Sequence, residues 1–217
     1  MMEKTVSQGK KIPEGQSRIM KTAIDEFASK GFASASTRDI AEKAGVSEAL
    51  IFKYYKNKKN LFQKIVFPHI FSLLIPMGFH RVSGILKQEH STFREFAISL
   101  MQERMEFALS HKKYLKILLQ ELFLNAEIQR KVKEKFSQSV WPEFEQKIQQ
   151  YQQTDEILKM PAEQIFRIML SLFMGMIVSA VIVNHPYANL QEECKITVDC
   201  LMRGIGTCNK GVSEYDL

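Results

Sequence analysis

Gly45 stands between two short segments whose apolar residues recur at helical spacing, T-R-D-I-A-E-K-A before it and E-A-L-I-F-K-Y-Y after it. Ser36 or Thr37 can cap the first helix, and Ser47 can cap the second. Because glycine has no Cβ, Gly45 suits the left-handed backbone of a tight turn and is expected to end the first helix. Two short helices joined by such a turn form a helix-turn-helix. The sequence therefore predicts this motif over about residues 37–54.

Helical patterns flank the motif on both sides. From Ser17 the apolar residues recur at steps of three and four, and Lys30-Gly31 supplies a basic last turn and a left-handed stop. Another helix is predicted to begin near Asn57 and to run toward Pro68, whose ring is expected to kink or end it. We expect that helix to transmit changes between the two ends of the chain.

The remainder of the chain predicts helices and no strands. It lacks the period-two alternation of Val, Ile and Thr that strands show. Five further segments have helical spacing: 91–110, 113–135, 140–153, 161–183 and 189–206. The fold class predicted is therefore all-α.

Three parts are predicted along this all-α chain. Residues 1–14 form a flexible arm, because they have no apolar period and contain Gly, Pro and Lys. Residues 15–63 form a three-helix domain that contains the helix-turn-helix. Residues 64–211 form a larger helical domain.

Positive charge is concentrated at the N-terminal end. Residues 1–65 contain 13 Lys and Arg against 7 Asp and Glu, whereas the remaining residues contain 17 of each. This asymmetry indicates a segment that binds a polyanion, attached to a neutral domain. A merely solvated charged surface would give the same counts, so the charge alone leaves both interpretations open. The helix-turn-helix favours double-stranded DNA.

Composition also indicates a cytoplasmic location. The first thirty residues have no basic start followed by an apolar stretch, so we expect no signal peptide. Cys194, Cys200 and Cys208 are an odd number without C-x-x-C spacing. They suit reduced thiols that pack near the C-terminus rather than a disulfide framework or a zinc site.

The segment from Ile168 to Val183 contains no charged residue. Its sixteen residues are fewer than the roughly 20 that cross a bilayer, so we expect no membrane span. A helix that is apolar on all sides must be buried, and Ser171, Gly175 and Ser179 would let another helix approach closely. We expect it to pair with segment 189–206 and with the same two helices of a second subunit, forming a homodimer. Burial wholly within one monomer is the alternative.

Three stretches of the sequence together resemble a known family. They are S-R-I-M-K-T-A-I-D-E-F-A-S-K-G-F at 17–32, S-T-R-D-I-A-E-K-A-G-V-S at 36–47, and Y-Y-K-N-K-K-N-L-F at 54–62. They resemble the N-terminal domain of the tetracycline-repressor (TetR) family of transcriptional regulators. The resemblance implies a three-helix DNA-binding domain and a C-terminal domain that binds a small effector and forms a dimer. Ala49 and Ile51-Phe52 depart from the family pattern, which usually has Gly or Pro and Leu-Tyr, and Phe52 has no hydroxyl for a phosphate.

DNA contacts divide into phosphate contacts, which position a protein, and base contacts, which specify sequence. Candidate residues for phosphates are Thr37, Ser47, Tyr54 and Lys58. Candidate residues for bases are Arg38 and Lys53 toward guanine, Glu48 toward cytosine, and Ala49 toward a thymine methyl group. Capping or packing alone is the alternative for Thr37, Ser47, Glu48 and Tyr54. Because one such domain touches few base pairs, we expect a dimer on a palindromic operator.

The sequence indicates the ligand and the biological role less specifically than it indicates the DNA contacts. The Phe, Met and Tyr residues of segment 91–125 could line a pocket for a lipophilic or aromatic small-molecule effector, or they could simply form the core; they are Phe93, Phe96, Met101, Met105, Phe107, Tyr114 and Phe123. The scattered histidines and the absence of a phosphate-binding glycine loop argue against an enzyme, a metal site or a cofactor. A ligand-responsive repressor is the preferred hypothesis. A DNA-organising or division-linked factor without an effector is the alternative.

Overall fold

A computed structural model describes residues 13–185 and 187–205, except the side chain of residue 65. Two compact units divide the chain, the first ending at Ser72 and the second beginning at Leu73. Helices account for both units, and no strand occurs in the described residues. The predicted all-α class is confirmed.

Five elements precede the division between the units or begin before it. They are α1 (Glu14–Ser34), α2 (Thr37–Ala44), α3 (Glu48–Tyr55), α4 (Lys58–Leu61) with the π-helical turn Phe62–Val66, and α5 (Phe67–Leu86). The predicted arm lies outside the described residues, except for Pro13 and Glu14, and Glu14 already begins α1.

The first unit packs α1, α2 and α3 around a small apolar core. Its centre consists of fully buried side chains, which include Phe27, Ile40 and Ile51. The ring of Phe62 meets Phe27 edge to face at 5.3 Å, so the π-helical turn contributes to the same core. Gly31 has φ of 76° and ψ of 163° and interrupts α1, which confirms the expected break. The helical conformation nevertheless resumes and continues to Ser34.

Pro68 does not end its helix, contrary to one of the two predicted outcomes. The helical path continues from Lys58 to Leu86, with the π-helical turn directly before Phe67. In that turn the N–H of Phe67 donates to the carbonyl of Phe62, five residues back. Proline has no N–H and its ring collides with the carbonyl four residues earlier. A local π turn is one way in which a helix accommodates such a residue.

Six further helices and a second π-helical turn follow in the described part of the chain. They are α6 (Phe93–Ser110), α7 (Lys112–Leu124), α8 (Ala126–Ser139), α9 (Trp141–Gln153), α10 (Ala162–Ile177) with the π-helical turn Val178–Ile182, and α11 (Leu190–Ile205). Helix α6 is central, because it packs against α10 and α11. Its Phe93, Phe96 and Met105 are fully buried.

One predicted helix is two helices in the structure. The segment predicted over 113–135 breaks at Asn125, whose side-chain oxygen accepts hydrogen bonds from the backbone of Glu127 and Ile128. This is the arrangement of an N-cap. The asparagine before A-E-I was the available sequence signal, and the continuous apolar pattern on both sides obscured it.

Two helical stretches are long and apolar enough to cross a membrane by length and composition alone, namely Lys58–Leu86 and Ala162–Ile182. A core helix of a soluble protein passes the same test. In the second stretch Ile165, Ile177 and Val181 are buried within the unit. Its opposite side, however, leaves Val178 and Ile182 exposed. This stretch is therefore only partly covered by its own chain.

The cysteines differ in their surroundings. Cys194 is buried in the core of the second unit, and burial raises the pKa of its thiol to about 11. Cys200 is exposed, so the expectation that it is a packing residue was wrong. Cys208 lies outside the described residues.

Candidate nucleic-acid interface and effector cavity

The turn between α2 and α3 has the geometry that the sequence predicted. Gly45 has φ of 64° and ψ of 41°, the left-handed conformation. The N–H of Gly45 donates to the carbonyl of Glu42, and the N–H of Val46 donates to that of Ala41. This pair of bonds is the Schellman motif that closes a helix before a change of direction. The turn fixes the angle at which α3 leaves α2.

The two predicted N-cap residues differ in whether the side chain makes a capping hydrogen bond. Ser36 is the cap of α2, because its hydroxyl accepts a hydrogen bond of 3.0 Å from the N–H of Asp39. Ser47 occupies the cap position of α3, but its hydroxyl makes no capping bond. The Ser47 side chain is exposed. Its hydroxyl is therefore available to a ligand at the N-terminus of α3.

Two of the predicted contact residues bind each other. The hydroxyl of Thr37, the first residue of α2, donates to Oε1 of Glu48, the first residue of α3, at 2.6 Å. The bond joins the N-termini of the two motif helices. It commits the hydroxyl proton of Thr37 to Glu48 and leaves the second carboxylate oxygen of Glu48 for another donor.

Three exposed side chains share one face of α3. Ala49, Phe52 and Lys53 stand at positions i, i+3 and i+4, and all three are exposed. Phe52 is 45% exposed. Such exposure is unusual for a phenylalanine on a helix that also supplies buried core residues. Sequence reasoning did not place Phe52 among the contact residues. Its spacing from Ala49 was the signal that could have done so.

Arg38 and Tyr54 are also exposed. Arg38 lies on α2, and no hydrogen bond or ion pair of its side chain is found among the described residues. The ring of Tyr54 is 45% exposed, while the neighbouring Tyr55 is buried. The phenol of Tyr54 is therefore directed to the surface, and Tyr55 serves the core.

Lys58 is held by the main chain of its own unit. Its ammonium donates to the carbonyl oxygens of Ala33 at 3.0 Å and Ala35 at 2.8 Å, and it lies 4.8 Å from the centre of the Phe32 ring. Carbonyls at the end of a helix attract a cation. Two of its three N–H groups are therefore committed, and one remains for a phosphate.

A charged network joins α1 to α2. The carboxylate of Glu26 is 3% exposed and pairs with Lys30 at 2.8 Å and with Lys43, while Lys30 also pairs with Asp39 at 2.8 Å. The hydrogen bonds from Lys30 and Lys43 hold the pKa of Glu26 below its ordinary value, and the pKa of Asp39 is lowered by Lys30. The sequence did not indicate this network, because Glu26 occupies a position between core residues. The network fixes α2 against α1.

The second unit contains an apolar cavity of about 250 Å³. Of the seven side chains considered for a pocket in the sequence, one, Met101, lines it. Phe93, Phe96 and Met105 are core, and Phe123 is 80% exposed. Residues of α5, α6, α8, α9 and α10 form the wall: Phe79, Val82, Leu100, Met101, Arg104, Phe136, Val140, Phe144, Phe166, Met169, Leu170 and Phe173. The core alternative therefore holds for Phe93, Phe96 and Met105, because the pocket lies between helices distant in sequence.

Comparison with known proteins covers the two units unequally. Residues 19–65 match the family model described as bacterial regulatory proteins, tetR family. Over 52 residues the chain is 42% identical to YvkB, an HTH-type transcriptional regulator of Bacillus subtilis. That match spans 24% of this chain and 28% of the relative. Sequence similarity is therefore concentrated in the first unit.

Similarity in fold extends over most of the chain. The fatty acid degradation regulator FadR of Bacillus halodurans is 17% identical, with a TM-score of 0.64 over 90% of this chain and 98% of that one. NalD of Pseudomonas aeruginosa, the secondary repressor of the MexAB-OprM multidrug efflux pump, is 18% identical, with a TM-score of 0.54 over 91% and 98%. These likenesses establish the arrangement of helices. The match over residues 19–65 identifies that part of the chain with the tetR family of bacterial regulatory proteins, and the solved structures add the arrangement of the helices.

Proposed function

We propose that the chain is a ligand-responsive transcriptional repressor that binds a palindromic operator as a homodimer in the cytoplasm. One observation carries the DNA-binding part of the proposal. The motif helices present Arg38, Ser47, Lys53 and Tyr54 as exposed side chains with no hydrogen bond or ion pair among the described residues. Cations and hydroxyls left free on a helix-turn-helix are suited to phosphates and base edges.

The contacts on DNA are assigned by chemistry and by what remains free. Ser47 and Tyr54 contact phosphates through their hydroxyls, and Lys58 does so through its one uncommitted N–H. Arg38 and Lys53 reach guanine. Ala49 contacts a thymine methyl group, and we add Phe52 to this apolar contact because it is exposed beside Ala49.

Thr37 and Glu48 act as a pair in this proposal. Their hydrogen bond holds the N-terminus of the recognition helix α3 against α2. Glu48 accepts from a cytosine amine with its second oxygen, while the backbone N–H groups at the start of α2, near Thr37, face a phosphate.

The exposed apolar side of the last two long helices supports a dimer. Val178 and Ile182 are about half exposed, and so is Ile196 on α11. No atom lies within 4 Å of the position that a Cβ on Gly175 would occupy. A second copy of the same two helices would cover these side chains and occupy the space beside Gly175. Two subunits also supply the two recognition helices that a palindrome needs.

The cavity in the second unit supports a ligand. Its wall is apolar except for Arg104, which suits a lipophilic or aromatic effector. The structural neighbours include a regulator of fatty acid degradation and a repressor of a multidrug efflux pump. A ligand that prefers a conformation with wrongly spaced recognition helices would lower operator affinity by its differential binding.

Selection of bound duplexes from a random DNA library tests the proposal. The purified protein is used at a fixed salt concentration near the physiological one, because non-specific binding depends steeply on salt. We expect an enriched palindrome with half-sites about one helical turn apart. Enrichment of no sequence by the folded dimer would contradict sequence-specific regulation and favour a DNA-organising or division-linked factor.

A further inference from the structure

The apolar cavity has one charged group in its wall. Eleven of its lining side chains are aliphatic, aromatic or methionine, and the twelfth is Arg104. The Arg104 side chain is 16% exposed. Its guanidinium lies over the ring of Phe107, 4.9 Å from the ring centre. The cavity is therefore apolar, with a single cationic side chain in its wall.

The charge around Arg104 is unbalanced. Glu103 is the carboxylate that pairs with Arg104, and it also pairs with Arg81 at 3.2 Å. Two guanidinium groups thus share one carboxylate. Burial lowers the pKa of Arg104, while Glu103 raises it and Arg81 lowers it further; no other charged group acts on it among the described residues. The cluster carries a net single positive charge, and Arg104 and Glu103 are largely buried while Arg81 is exposed.

Arg104 also has unused hydrogen-bonding capacity. Its Nε atom donates to Oε2 of Glu103, and its Nη2 atom lies against the same carboxylate in an ion pair. Its Nη1 atom makes no hydrogen bond among the described residues and lies beside Gly78, where a Cβ would stand 3.6 Å from it. Nη1 is therefore the donor that an anionic ligand would find unused.

We infer that the cavity binds a small monocarboxylic acid. The apolar chain or ring of the acid lies in the cavity, and its carboxylate accepts a hydrogen bond from the guanidinium of Arg104. The inference rests on the proposed function, because it names the class of effector. One positive charge matches a monoanion rather than a phosphate monoester with two charges. A guanidinium also matches the planar geometry of a carboxylate. A neutral lipophile would leave the donor unpaired, and a cation would be repelled.

Three probes of equal chain length separate these cases, namely octanoate, octanol and octylamine. Their binding to the full-length protein without DNA is measured by isothermal titration calorimetry. A carboxylate that gains a charge-assisted hydrogen bond should bind about tenfold more tightly than the alcohol. We expect octylamine to bind most weakly. Equal affinity for octanoate and octanol, or no binding of octanoate, would overturn the inference.

Arg104→Met tests the residue, and Arg130→Met is the matched control, because Arg130 is exposed on α8. We expect Arg104→Met to lose the preference for octanoate over octanol while Arg130→Met keeps it. Without ligand, Arg104→Met should melt no lower than the wild type, since Glu103 remains paired with Arg81. A variant that melts much lower is replaced by Arg104→Lys, which keeps the charge and should keep part of the preference. Retention of the full preference by Arg104→Met would overturn the assignment.

Release of DNA is measured separately, on the operator fragment obtained by selection. Tight binding of octanoate that leaves operator affinity unchanged would establish the carboxylate site and contradict ligand-responsive repression. Release of the operator by octanol and octanoate at the same concentrations would establish ligand-responsive repression and contradict the carboxylate site.

Discussion

The two units differ in how much of their apolar surface they cover. Among the described residues, the first unit leaves two large apolar or aromatic side chains exposed, Phe52 and Tyr54, and both lie on α3. The second unit leaves ten exposed. Four of these ten lie on its last two long helical elements, namely Leu170, Val178, Ile182 and Ile196, and Val183 directly follows Ile182. The first unit therefore covers its apolar side chains except on α3, whereas the second unit leaves a larger apolar surface uncovered.

This difference indicates where each kind of change should act. In the first unit, stability depends on short-range features such as the Gly45 turn and the ion pairs of Glu26. In the second unit, a change on the exposed apolar face should spare the fold of the monomer and remove the dimer. Four predictions test this contrast, beginning with the largest effect.

Ile196→Glu should convert the dimer to a monomer. A carboxylate on the apolar face would be buried without a partner at the interface, which is strongly unfavourable. Because a monomer presents one recognition helix, operator affinity should fall about a hundredfold or more. Sedimentation equilibrium measures the mass, and fluorescence anisotropy measures the affinity. Leu124→Glu is the control, since Leu124 is 85% exposed on α7 and should tolerate the change. A dimeric Ile196→Glu protein would place the interface elsewhere.

Glu26→Gln should destabilise the first unit by about 1–3 kcal/mol, because it removes charge-assisted hydrogen bonds from Lys30 and Lys43. The pKa of Glu26 is lower in the folded protein, so the stabilisation is present above its ordinary value near 4.5 and is lost as pH falls through the folded value. Denaturant unfolding at several pH values measures the free energy of unfolding of the wild type and of the variant. The wild type and the variant should converge below pH 4.5.

Glu42→Gln is the matched control for that experiment. Glu42 lies exposed on α2 and should contribute little. Asp39 also has a lowered pKa, so the Glu26→Gln protein should keep part of its pH dependence. A difference between wild type and Glu26→Gln that stays constant down to acid pH would contradict the ionic role.

Gly45→Ala should cost about 1–2 kcal/mol, because an L-residue is strained in the left-handed conformation that Gly45 adopts. Gly15→Ala is the control. Gly15 lies within α1, has nothing within 4 Å of the added methyl group, and should be neutral or slightly stabilising. Thermal unfolding of the two variants checks the sign. Equal behaviour would mean that the turn does not limit stability.

Lys53→Ala and Lys58→Ala should have the smallest effects. Lys58→Ala removes a phosphate contact and should reduce the slope of log affinity against log salt by about one, whereas Lys53→Ala removes a base contact and should relax the sequence preference. Lys58→Ala should also lower the unfolding free energy by about 1 kcal/mol, because it frees the carbonyls of Ala33 and Ala35. An unchanged salt slope in Lys58→Ala would give this lysine a purely structural role.

The sequence predicted the first unit well because its signals are local. The left-handed glycine, the cap at Ser36 and the helix spacing each depend on a few adjacent residues, and the structure confirms them. The pairing of Glu26 with Lys43 and the bonds of Lys58 to Ala33 and Ala35 escaped prediction, since they join residues 17 to 25 positions apart. Such pairs depend on how helices cross, and single-sequence patterns do not contain that information.

The second unit was predictable as helices but not as a site. Its helical segments from 91 onward were foreseen, apart from the break at Asn125, whereas the continuation of α5 from Pro68 to Leu86 was not. The cavity lies between side chains from five helices, and of the expected aromatic residues and methionines Met101 alone reaches it. Phe93 and Phe96 resemble Phe144 and Phe166 in any sequence pattern, yet the first two fill the core and the others line the cavity.

The two π-helical turns, Phe62–Val66 and Val178–Ile182, give their helices one residue more than an unbroken α-helix would hold in the same turn. Deleting one residue from Phe62–Val66 would restore the ordinary α-helical register at that place. Because the π turn already accommodates the additional residue, the residues after the deletion should keep the helix faces that they now present. The same deletion in a regular α-helical turn would rotate everything after it by about 100° about the helix axis. In evolutionary terms, a single codon can be gained or lost at a π turn with less change in which faces of the helix point inward. Shortened variants of this helix should therefore lose a residue within 62–66 rather than in the α-helical turns beside it.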